Sequence, residues 1–366
     1  MSTQQLALQV VLQLAAILLA CRAVGRLMAA VGQPRVIGEM IAGILLGPSL
    51  LGVLAPSLQA ALFPRESLAV ISAIGQIGVV LYMFVVGSQL HTGFVRHAFG
   101  GALTISVAGV ALPFVLGASL AWVLHGDGRF FAAGLSNWQG MLYLGAAMSV
   151  TAFPVLARII QDRGIGGTVL GSLTLAAGAS NDVVAWLMLG VVLVSVDHTF
   201  DLAGFLGAHA IFASFLIGAA MPRGVFTTAL VRRIEPVTSL MLVPFFFAFS
   251  GLSTRLSLLW SVDLVWLSLL AIVLASIGKV AACWAAARWA GMPNRDALAI
   301  GALMNARGLM ELIILNIGLE RGLITPTLFT VMVLMTLATT LAAGPAFQWA
   351  WRGSKEVADL AAVRVH

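Results

Sequence analysis

Charged residues are scarce in this sequence. Asp, Glu, Lys and Arg make up 9% of the 366 residues, whereas 60% are hydrophobic and the mean hydropathy is +1.03. Soluble domains carry about 25% charged residues, so the composition excludes a cytosolic enzyme, a secreted scaffold and a disordered chain. Cysteine is also rare. Cys21 and Cys283 lie far apart within apolar runs, which excludes a disulfide framework and a cysteine-ligated metal site.

Motifs for nucleic-acid binding and for catalysis are missing as well. The net charge of +6 does not indicate a nucleic-acid partner, because the basic residues are scattered over short loops and form no patch. We find no glycine-rich phosphate loop, no nucleophile with a matching base and no metal dyad, which leaves an intramembrane hydrolase as a remote alternative. We therefore expect no enzyme activity and no resident cofactor.

Long apolar runs are abundant, and eleven of them are long enough to cross a bilayer as helices. They cover residues 6–30, 36–54, 68–86, 99–124, 137–160, 169–196, 202–221, 234–252, 264–289, 297–319 and 326–349. The sequence thus predicts an all-α polytopic membrane protein with about 11 transmembrane helices. A single transmembrane domain is expected over 1–350, followed by a short tail over 351–366.

The distribution of basic residues predicts the orientation in the membrane. Placing the N-terminus outside puts most of the 20 Lys and Arg residues on the cytoplasmic side, as the positive-inside rule requires. The C-terminus is then cytoplasmic. We expect a multi-pass protein of the cell inner (plasma) membrane.

The spans show a weak internal repeat of inverted orientation. The glycine-rich run Gly38–Pro48 resembles the run from Gly207 to Pro222, and these two runs begin on opposite sides of the predicted membrane. Inverted repeats are common in secondary transporters. The first repeat is predicted over about 6–196 and the second over about 202–350, with the first span unpaired.

Two spans at matching positions of the repeat contain helix-breaking residues. Thr151–Pro154 interrupts the fifth span, and Asn305–Gly308 interrupts the tenth. Proline lacks a backbone donor and glycine permits open backbone, so both spans are candidates for discontinuous helices whose freed polar groups line an ion site. A proline kink without function is the alternative for either helix alone.

Ionisable residues inside the spans are the strongest functional signal. Each costs about 2.5–3.5 kcal/mol at the bilayer centre, so it must face a cavity or a partner. Asp182 is a mid-span carboxylate that could bind either a proton or a small cation. Alternatively, it could form an ion pair with Lys279 that only holds helices together. Lys279 could be a counter-charge or a second proton carrier.

The other buried charges favour structural roles. Arg307 and Glu311 are spaced i, i+4 and can pair if the helix resumes after Gly308. We expect a helix-start or packing role for Glu39 and a hydrogen-bonded core position for His209.

Taken together, these motifs resemble the monovalent cation:proton antiporter-2 family, which includes sodium/proton and potassium/proton exchangers. The matching stretches are Gly38–Pro48, Ser149–Arg158, Asn181–Asp182 and Asn305–Leu312 with Asn316–Gly318. The resemblance implies a sodium/proton-antiporter-like fold with an inverted repeat and two discontinuous crossed helices. It also implies a homodimer whose core domain moves like an elevator.

The resemblance also implies roles for individual residues. Asp182, Asn181 and Thr151 would bind Na⁺ or K⁺ transiently, with Asp182 also carrying the proton and Lys279 beside them. Support from the broken helices is implied for Arg307, Glu311, Asn305 and Pro154. Selectivity between Na⁺ and K⁺ cannot be read from these residues.

One departure from the family pattern concerns the region between residues 196 and 202. Similar proteins usually have thirteen helices, and here two of them are apparently missing at this point. The loss preserves the predicted topology and explains why the first span is unpaired. It leaves open the dimer interface and an alternative function as a transport-incompetent or channel-like relative that acts as a regulatory subunit.

Overall fold

The structure is a computed structural model that describes residues 3–89, 99–166, 168–197, 210–222, 224–257 and 261–352. In these residues the chain is almost entirely helical, as predicted. The helices are α1 (Thr3–Ala30), α2 (Arg35–Leu46), α3 (Leu51–Leu54), α4 (Pro56–Leu62), α5 (Arg65–Gln89), α6 (Phe99–Leu124), α7 (Asn137–Ser149), α8 (Phe153–Asp162), α9 (Val169–Asp197), α10 (Ala210–Ala220), α11 (Val225–Val237), α12 (Val243–Leu252), α13 (Val262–Trp289), α14 (Asn294–Met304), α15 (Leu309–Glu320) and α16 (Pro326–Trp351).

Nine helical stretches in these described ranges are long and apolar enough to cross a membrane, so the chain is a multi-pass membrane protein. Two of the eleven predicted spans are not among the nine. The span predicted over 137–160 is divided into α7 and α8, each too short to cross a bilayer alone. The span predicted over 202–221 is described only from Ala210, so its start and His209 lie outside the described residues.

The second span differs from its prediction. A helix over 36–54 was expected, but α2 ends at Leu46 and Gly47 adopts extended backbone (φ −82°, ψ −172°). The reason is Pro48, whose ring disfavours helical backbone at the preceding residue. The short helices α3 and α4 follow, and Gln9 and Gln13 of α1 donate to the end of α4, at the Ala61 and Leu62 carbonyls respectively, both at 2.7 Å.

The first of two compact units comprises residues 1–90 and 199–260. Its helices approach closely at glycine residues, which have no side chain to keep the two backbones apart. A Cβ atom at Gly43 would lie 2.3 Å from the Ala248 carbonyl oxygen, and one at Gly87 would lie 2.2 Å from that of Phe215. Such contacts are typical of membrane helices, which rely on van der Waals packing because lipid is as apolar as their side chains.

The second compact unit comprises residues 91–198 and 261–366. Within it, α6 packs against α7, α9 and α13, while α14 packs against α13, α16 and α9. The segment containing α14 and α15 is almost completely buried, unlike an ordinary lipid-facing span. Each unit therefore draws helices from both predicted repeats; the repeat boundaries themselves stay a prediction.

Two loops of the second unit are tied together. Thr325 N donates to the Phe130 carbonyl at 3.0 Å, and Ala132 N donates to the Leu323 carbonyl at 3.3 Å, on either side of an antiparallel bridge between Phe131 and Ile324. We call this contact the loop clasp. Beside it, the Arg129 side chain hydrogen-bonds Asp127 and lowers the pKa of that exposed carboxyl.

Both cysteines are buried in the helical packing. Cys21 of α1 is 3% exposed, and Cys283 of α13 is 0% exposed. Both are free thiols.

Candidate functional site

The first helix break lies between α7 and α8. The helix ends at Ser149, Val150 has extended backbone (φ −71°, ψ 142°), and a new helix starts at Phe153. Pro154 is the second residue of that new helix, where a missing N–H does no harm because first-turn amides have no intrahelical acceptor. The predicted interruption at Thr151–Pro154 is therefore a true gap in the helix rather than a kink.

The second break lies between α14 and α15, over Asn305–Gly308. Gly308 has φ 155° and ψ −118°, a conformation that other residues rarely adopt. A Cβ atom there would lie 3.1 Å from a methyl group of Val155. Thr340 of α16 closes the gap, because its Oγ1 lies 3.0 Å from the backbone N of Arg307 and 2.9 Å from its backbone O.

The two breaks cross and hydrogen-bond each other. Ala152 N donates to the Ala306 carbonyl at 3.0 Å, and Thr151 Oγ1 donates to the Met304 carbonyl at 3.0 Å. Backbone groups freed by one break thus bind groups freed by the other, as buried polar groups in a membrane protein must. The prediction of two discontinuous crossed helices is confirmed.

Asn181 and Asp182, in the middle of α9, lie beside this crossing. Asn181 Oδ1 accepts a hydrogen bond of 3.1 Å from Thr151 N. Asp182 is 1% exposed, and within the described part of the chain neither of its carboxylate oxygens has a hydrogen-bond partner. The Phe153 amide faces this carboxylate but does not reach hydrogen-bond geometry. An unpartnered buried carboxylate is rare in proteins, because its desolvation is not offset.

Two buried cations bind the carbonyl end of α7. Lys279 Nζ donates to the carbonyls of Ser149 at 2.5 Å and Gly109 at 2.7 Å. The Arg307 guanidinium donates to the carbonyls of Met148 at 2.6 Å and Ala147 at 3.5 Å. Helix C-terminal carbonyls lack intrahelical donors and carry partial negative charge, so both cations are well placed to stabilise this helix end.

The predicted pairing of Arg307 with Glu311 is present, with Nη1 and Oε2 3.4 Å apart and both side chains fully buried. The alternative of a direct Asp182–Lys279 ion pair is not realised, because Lys279 donates to backbone carbonyls and the Asp182 carboxylate has no hydrogen-bond partner in the described ranges. Glu39 belongs to the first unit, on α2, and is not part of this site.

The site contains residues that sequence reasoning missed. Thr340 bridges the second break, Ser276 Oγ accepts from Asn305 Nδ2 at 3.4 Å, and Ser149 and Gly109 provide carbonyls. Thr340 belongs to a Thr339–Thr340 pair within an apolar span, a polar signal that could have been noticed. The backbone carbonyls that accept hydrogen bonds from Lys279 leave no trace in the sequence, because every residue has a carbonyl.

The chemistry of the site suits a monovalent cation or a proton. In the part of the chain that the structure describes, no group of three or more His, Cys, Asp or Glu side chains could hold a metal ion. The oxygens near the crossing are one carboxylate, hydroxyls, amides and carbonyls. Neutral oxygen ligands of this kind are those that replace the hydration shell of monovalent cations in channels.

Comparisons with known proteins agree with this geometry. A family model described as sodium/hydrogen exchanger, transmembrane, matches residues 14–204 and 191–353. The chain is 35% identical over 382 residues to the Na(+)/H(+) antiporter NhaS4 of Synechocystis sp., covering 88% of this chain and 92% of that protein.

Longer relatives match as well. Cation/H(+) antiporter 17 of Arabidopsis thaliana is 32% identical over 392 residues, covering 92% of this chain and 47% of that protein. K(+)/H(+) antiporter 1 of Saccharomyces cerevisiae is 27% identical over 395 residues, covering 91% and 45% respectively. The chain spans about half the length of these two relatives.

A solved structure shares the fold. The sodium proton antiporter MjNhaP1 from Methanocaldococcus jannaschii superimposes with a TM-score of 0.59 over 95% of this chain and 98% of that chain, at 14% sequence identity. At this identity the likeness concerns the fold, and it confirms the predicted sodium/proton-antiporter-like architecture.

Two of these findings bear on the missing helices. The alignment with the Synechocystis protein extends over 382 residues, more than the 366 of this whole chain, so the relative has residues without a counterpart here. The family model matches in two segments that overlap at 191–204, the region where the two helices were expected to be absent.

Proposed function

Since this chain belongs to the sodium/hydrogen exchanger family of monovalent cation:proton antiporters, we propose that it exchanges Na⁺ or K⁺ for protons at Asp182. The observation that carries this proposal is the Asp182 carboxylate, which is buried beside the crossing of two broken helices and has no partner of its own. The family members are transporters and not enzymes.

Competition for one carboxylate is enough to couple the two ions. A proton and a small cation cannot both occupy the same oxygens, and cation binding requires the deprotonated form. Each ion must therefore leave before the other binds. If the site faces one side of the membrane at a time, a gradient of either ion drives the other in the opposite direction.

Thr151 and Asn181 would support the cation differently. Thr151 uses its hydroxyl proton for the Met304 carbonyl, so its oxygen lone pairs remain able to face a cation. The oxygen of Asn181 accepts from Thr151 N, and its unpartnered Nδ2 is a donor that repels cations. We therefore propose that Asn181 mainly fixes the position of Thr151.

Lys279 and Arg307 would supply fixed positive charge next to the two buried carboxylates. When all four side chains are ionised, the positive charges of Lys279 and Arg307 equal the negative charges of Asp182 and Glu311. Loading one proton or one monovalent cation then changes the charge of the site by the same amount. If Asp182 exchanges one proton for one cation and Lys279 keeps its own proton as a counter-charge, the exchange is electroneutral.

The way in which the site changes sides is also part of the proposal. All the proposed ion-binding and supporting residues belong to the second unit, so this unit would be the moving part of an elevator. We further propose a cytoplasmic C-terminus, an external N-terminus and a homodimer.

The alternative of a transport-incompetent or channel-like relative that acts as a regulatory or sensing subunit is favoured by one observation: the Synechocystis antiporter has residues without a counterpart in this chain, as the predicted loss of two helices between residues 196 and 202 requires. The second unit, by contrast, retains both broken helices and every predicted site residue. We therefore rank exchange first and make the alternative an outcome of the test.

The test is cation-induced proton efflux from proteoliposomes, with Na⁺ and K⁺ each scanned against pH for the wild type and for Asp182→Asn. We expect saturable efflux in the wild type and its loss in Asp182→Asn, because an amide can neither release a proton nor offer a full negative charge. At acidic pH the half-saturating cation concentration should rise about tenfold per pH unit, as competition with one proton requires.

The matched control is Asp263→Asn, which neutralises an exposed carboxylate at the start of α13 and should leave exchange unchanged. Exchange that survives in Asp182→Asn would remove Asp182 from the mechanism. A folded wild type that shows no efflux at any pH with either cation would favour the regulatory alternative.

A further inference from the structure

We infer that Asn305 binds the transported cation directly through its side-chain oxygen, and so discriminates the cation from the proton. This inference rests on the proposed exchange at Asp182. It goes beyond the sequence-based expectation, in which Asn305 only supports the second broken helix.

Among described residues, the side-chain amide of Asn305 has a hydrogen-bond partner at its nitrogen but not at its oxygen. Its Nδ2 donates to Ser276 Oγ of α13 at 3.4 Å, which turns the oxygen of the planar amide away from Ser276. The residue is 4% exposed, and its Oδ1 is buried without a hydrogen-bond partner among the residues that the structure describes. Buried carbonyl oxygens are almost always paired, so an unpaired one requires an explanation.

The position of Asn305 in the crossing supplies that explanation. Its two chain neighbours both contact the first break, because Met304 O accepts from Thr151 Oγ1 and Ala306 O accepts from Ala152 N. Asn305 thus sits between the two hydrogen bonds that join the broken helices.

Asp182 approaches the same crossing from a third helix. Asn181, its chain neighbour, accepts from Thr151 N, and α9 packs against α14, which ends immediately before Asn305. Asn305 follows Met304 and Asp182 follows Asn181, and both of these chain neighbours form a hydrogen bond with Thr151. Thr151 therefore links the two residues that carry the unpartnered oxygens.

The chemistry of this oxygen set distinguishes the two transported ions. Na⁺ and K⁺ must replace several hydration oxygens when they enter a buried site, so a neutral amide oxygen beside the carboxylate strengthens their binding. A proton needs only the carboxylate. Removal of the Asn305 oxygen should thus weaken cation binding and leave proton binding at Asp182 nearly unchanged.

The test is cation-induced proton efflux from proteoliposomes that contain full-length Asn305→Ala. We expect the half-saturating concentration of Na⁺ or K⁺ to rise about tenfold or more, since loss of one ligand to a charged group has an effect of this order. The maximal rate at saturating cation and the apparent proton affinity should stay within about twofold of the wild type. Ser276→Ala, which only removes the orienting hydroxyl, should give a smaller rise of the same kind.

The matched control is Thr174→Ala on α9. Thr174 is fully buried, and its hydroxyl bonds the Leu170 carbonyl of its own helix. Loss of this buried polar group should leave the half-saturating concentration unchanged, which separates loss of a ligand from a general effect of truncating a buried side chain.

An unchanged half-saturating concentration in Asn305→Ala would overturn the inference. If that variant does not fold, Asn305→Asp tests the inference instead. Aspartate keeps an oxygen at this position and adds a negative charge. Its half-saturating concentration at alkaline pH should equal or fall below that of the wild type, and a tenfold rise would contradict the inference. The two hypotheses fail in different ways. If Asp182→Asn loses exchange and Asn305→Ala keeps the cation dependence of the wild type, only the inference about Asn305 is rejected. If Asp182→Asn still exchanges ions, the proposed function is rejected.

Discussion

Lys279 and Arg307 are buried cations whose N–H groups point mainly at backbone carbonyls. Lys279 binds Ser149 and Gly109, and Arg307 binds Met148 and Ala147 as well as Glu311. Each cation thus has several hydrogen-bond partners other than the carboxylate of Asp182. Among the described residues Asp182 forms no ion pair with either cation, although both belong to the same unit, which is the arrangement that the proposed exchange at Asp182 requires.

The role of Lys279 can be tested by removing its charge. Lys279→Met deletes two charge-assisted hydrogen bonds, each of which contributes about 1.5–3 kcal/mol, and leaves two buried carbonyls without a donor. We expect a marked fall in thermal stability, measured as the midpoint of unfolding in detergent.

The matched control is Arg288→Met near the end of the same helix. Arg288 is exposed and donates to the Met292 carbonyl, so its loss should have little effect. If Lys279→Met kept its stability and lost exchange, Lys279 would be a proton carrier rather than a counter-charge.

At the scale of elements, the broken helix α7 ends on three successive carbonyls that are all bound by side chains from elsewhere. Arg307 reaches them from the second break and Lys279 from α13. A half-helix that ends inside the membrane exposes the negative end of its dipole, and these cations neutralise it. The two broken helices are therefore coupled by charge as well as by the hydrogen bonds of the crossing.

This coupling predicts the outcome of a double-mutant cycle on Arg307 and Glu311. Arg307→Met leaves the Glu311 carboxylate buried without its cation, and breaking such a pair typically costs about 3–5 kcal/mol. Adding Glu311→Leu removes the uncompensated charge, so we expect the double variant to be more stable than Arg307→Met alone.

Thermal unfolding of the wild type, both single variants and the double variant measures the interaction between the two side chains. If the stability changes of the two single variants simply add in the double variant, the ion pair does not couple the two side chains. Arg307 would then stabilise the protein only through its hydrogen bonds to the α7 carbonyls.

The sequence alone predicts some of these elements and not others, for physical reasons. Pro154 and Gly308 mark the breaks because proline and glycine act on local backbone, and the i, i+4 spacing predicts the Arg307–Glu311 pair. The bonds from Ala152 to Ala306 and from Arg307 to Thr340 join residues far apart in the chain, so no local pattern reveals them. The end of α2 at Leu46 was missed because hydropathy continues through Gly47 and Pro48 although the helix does not.

At the scale of the whole molecule, each compact unit combines chain segments from both halves of the sequence. The second unit can form only after residues 261–352 are present, because the second break lies in that segment. The two helices that this chain is predicted to lack would belong at the junction between the two predicted repeats, where the two matched segments of the family model overlap over residues 191–204. Both broken helices lie outside this junction.

The orientation of the molecule can be tested with protease sites inserted at two glycines. Gly128 follows α6 and is expected outside, whereas Gly291 follows α13 and is expected in the cytoplasm. A Cβ atom at either position would contact nothing within 4 Å, so both loops should tolerate an insertion.

We expect cleavage at position 128 in right-side-out vesicles and at position 291 in inverted vesicles, measured by immunoblotting. Cleavage in the reverse pattern would show that the N-terminus is cytoplasmic. Solubilised protein, cut at both positions, is the control for accessibility.

The burial of Cys21 and Cys283 makes the wild-type chain a ready background for spectroscopy. Thiol-reactive spin labels attach slowly to sulfur that solvent does not reach, so new cysteines can be introduced without first replacing the native ones. Gly224 in the first unit and Gly128 in the second are both exposed, have open space around a Cβ atom and do not adopt left-handed backbone. Pulsed electron resonance on that label pair, recorded at several pH values and cation concentrations, would test whether the distance between the two labels changes as the proposed elevator requires.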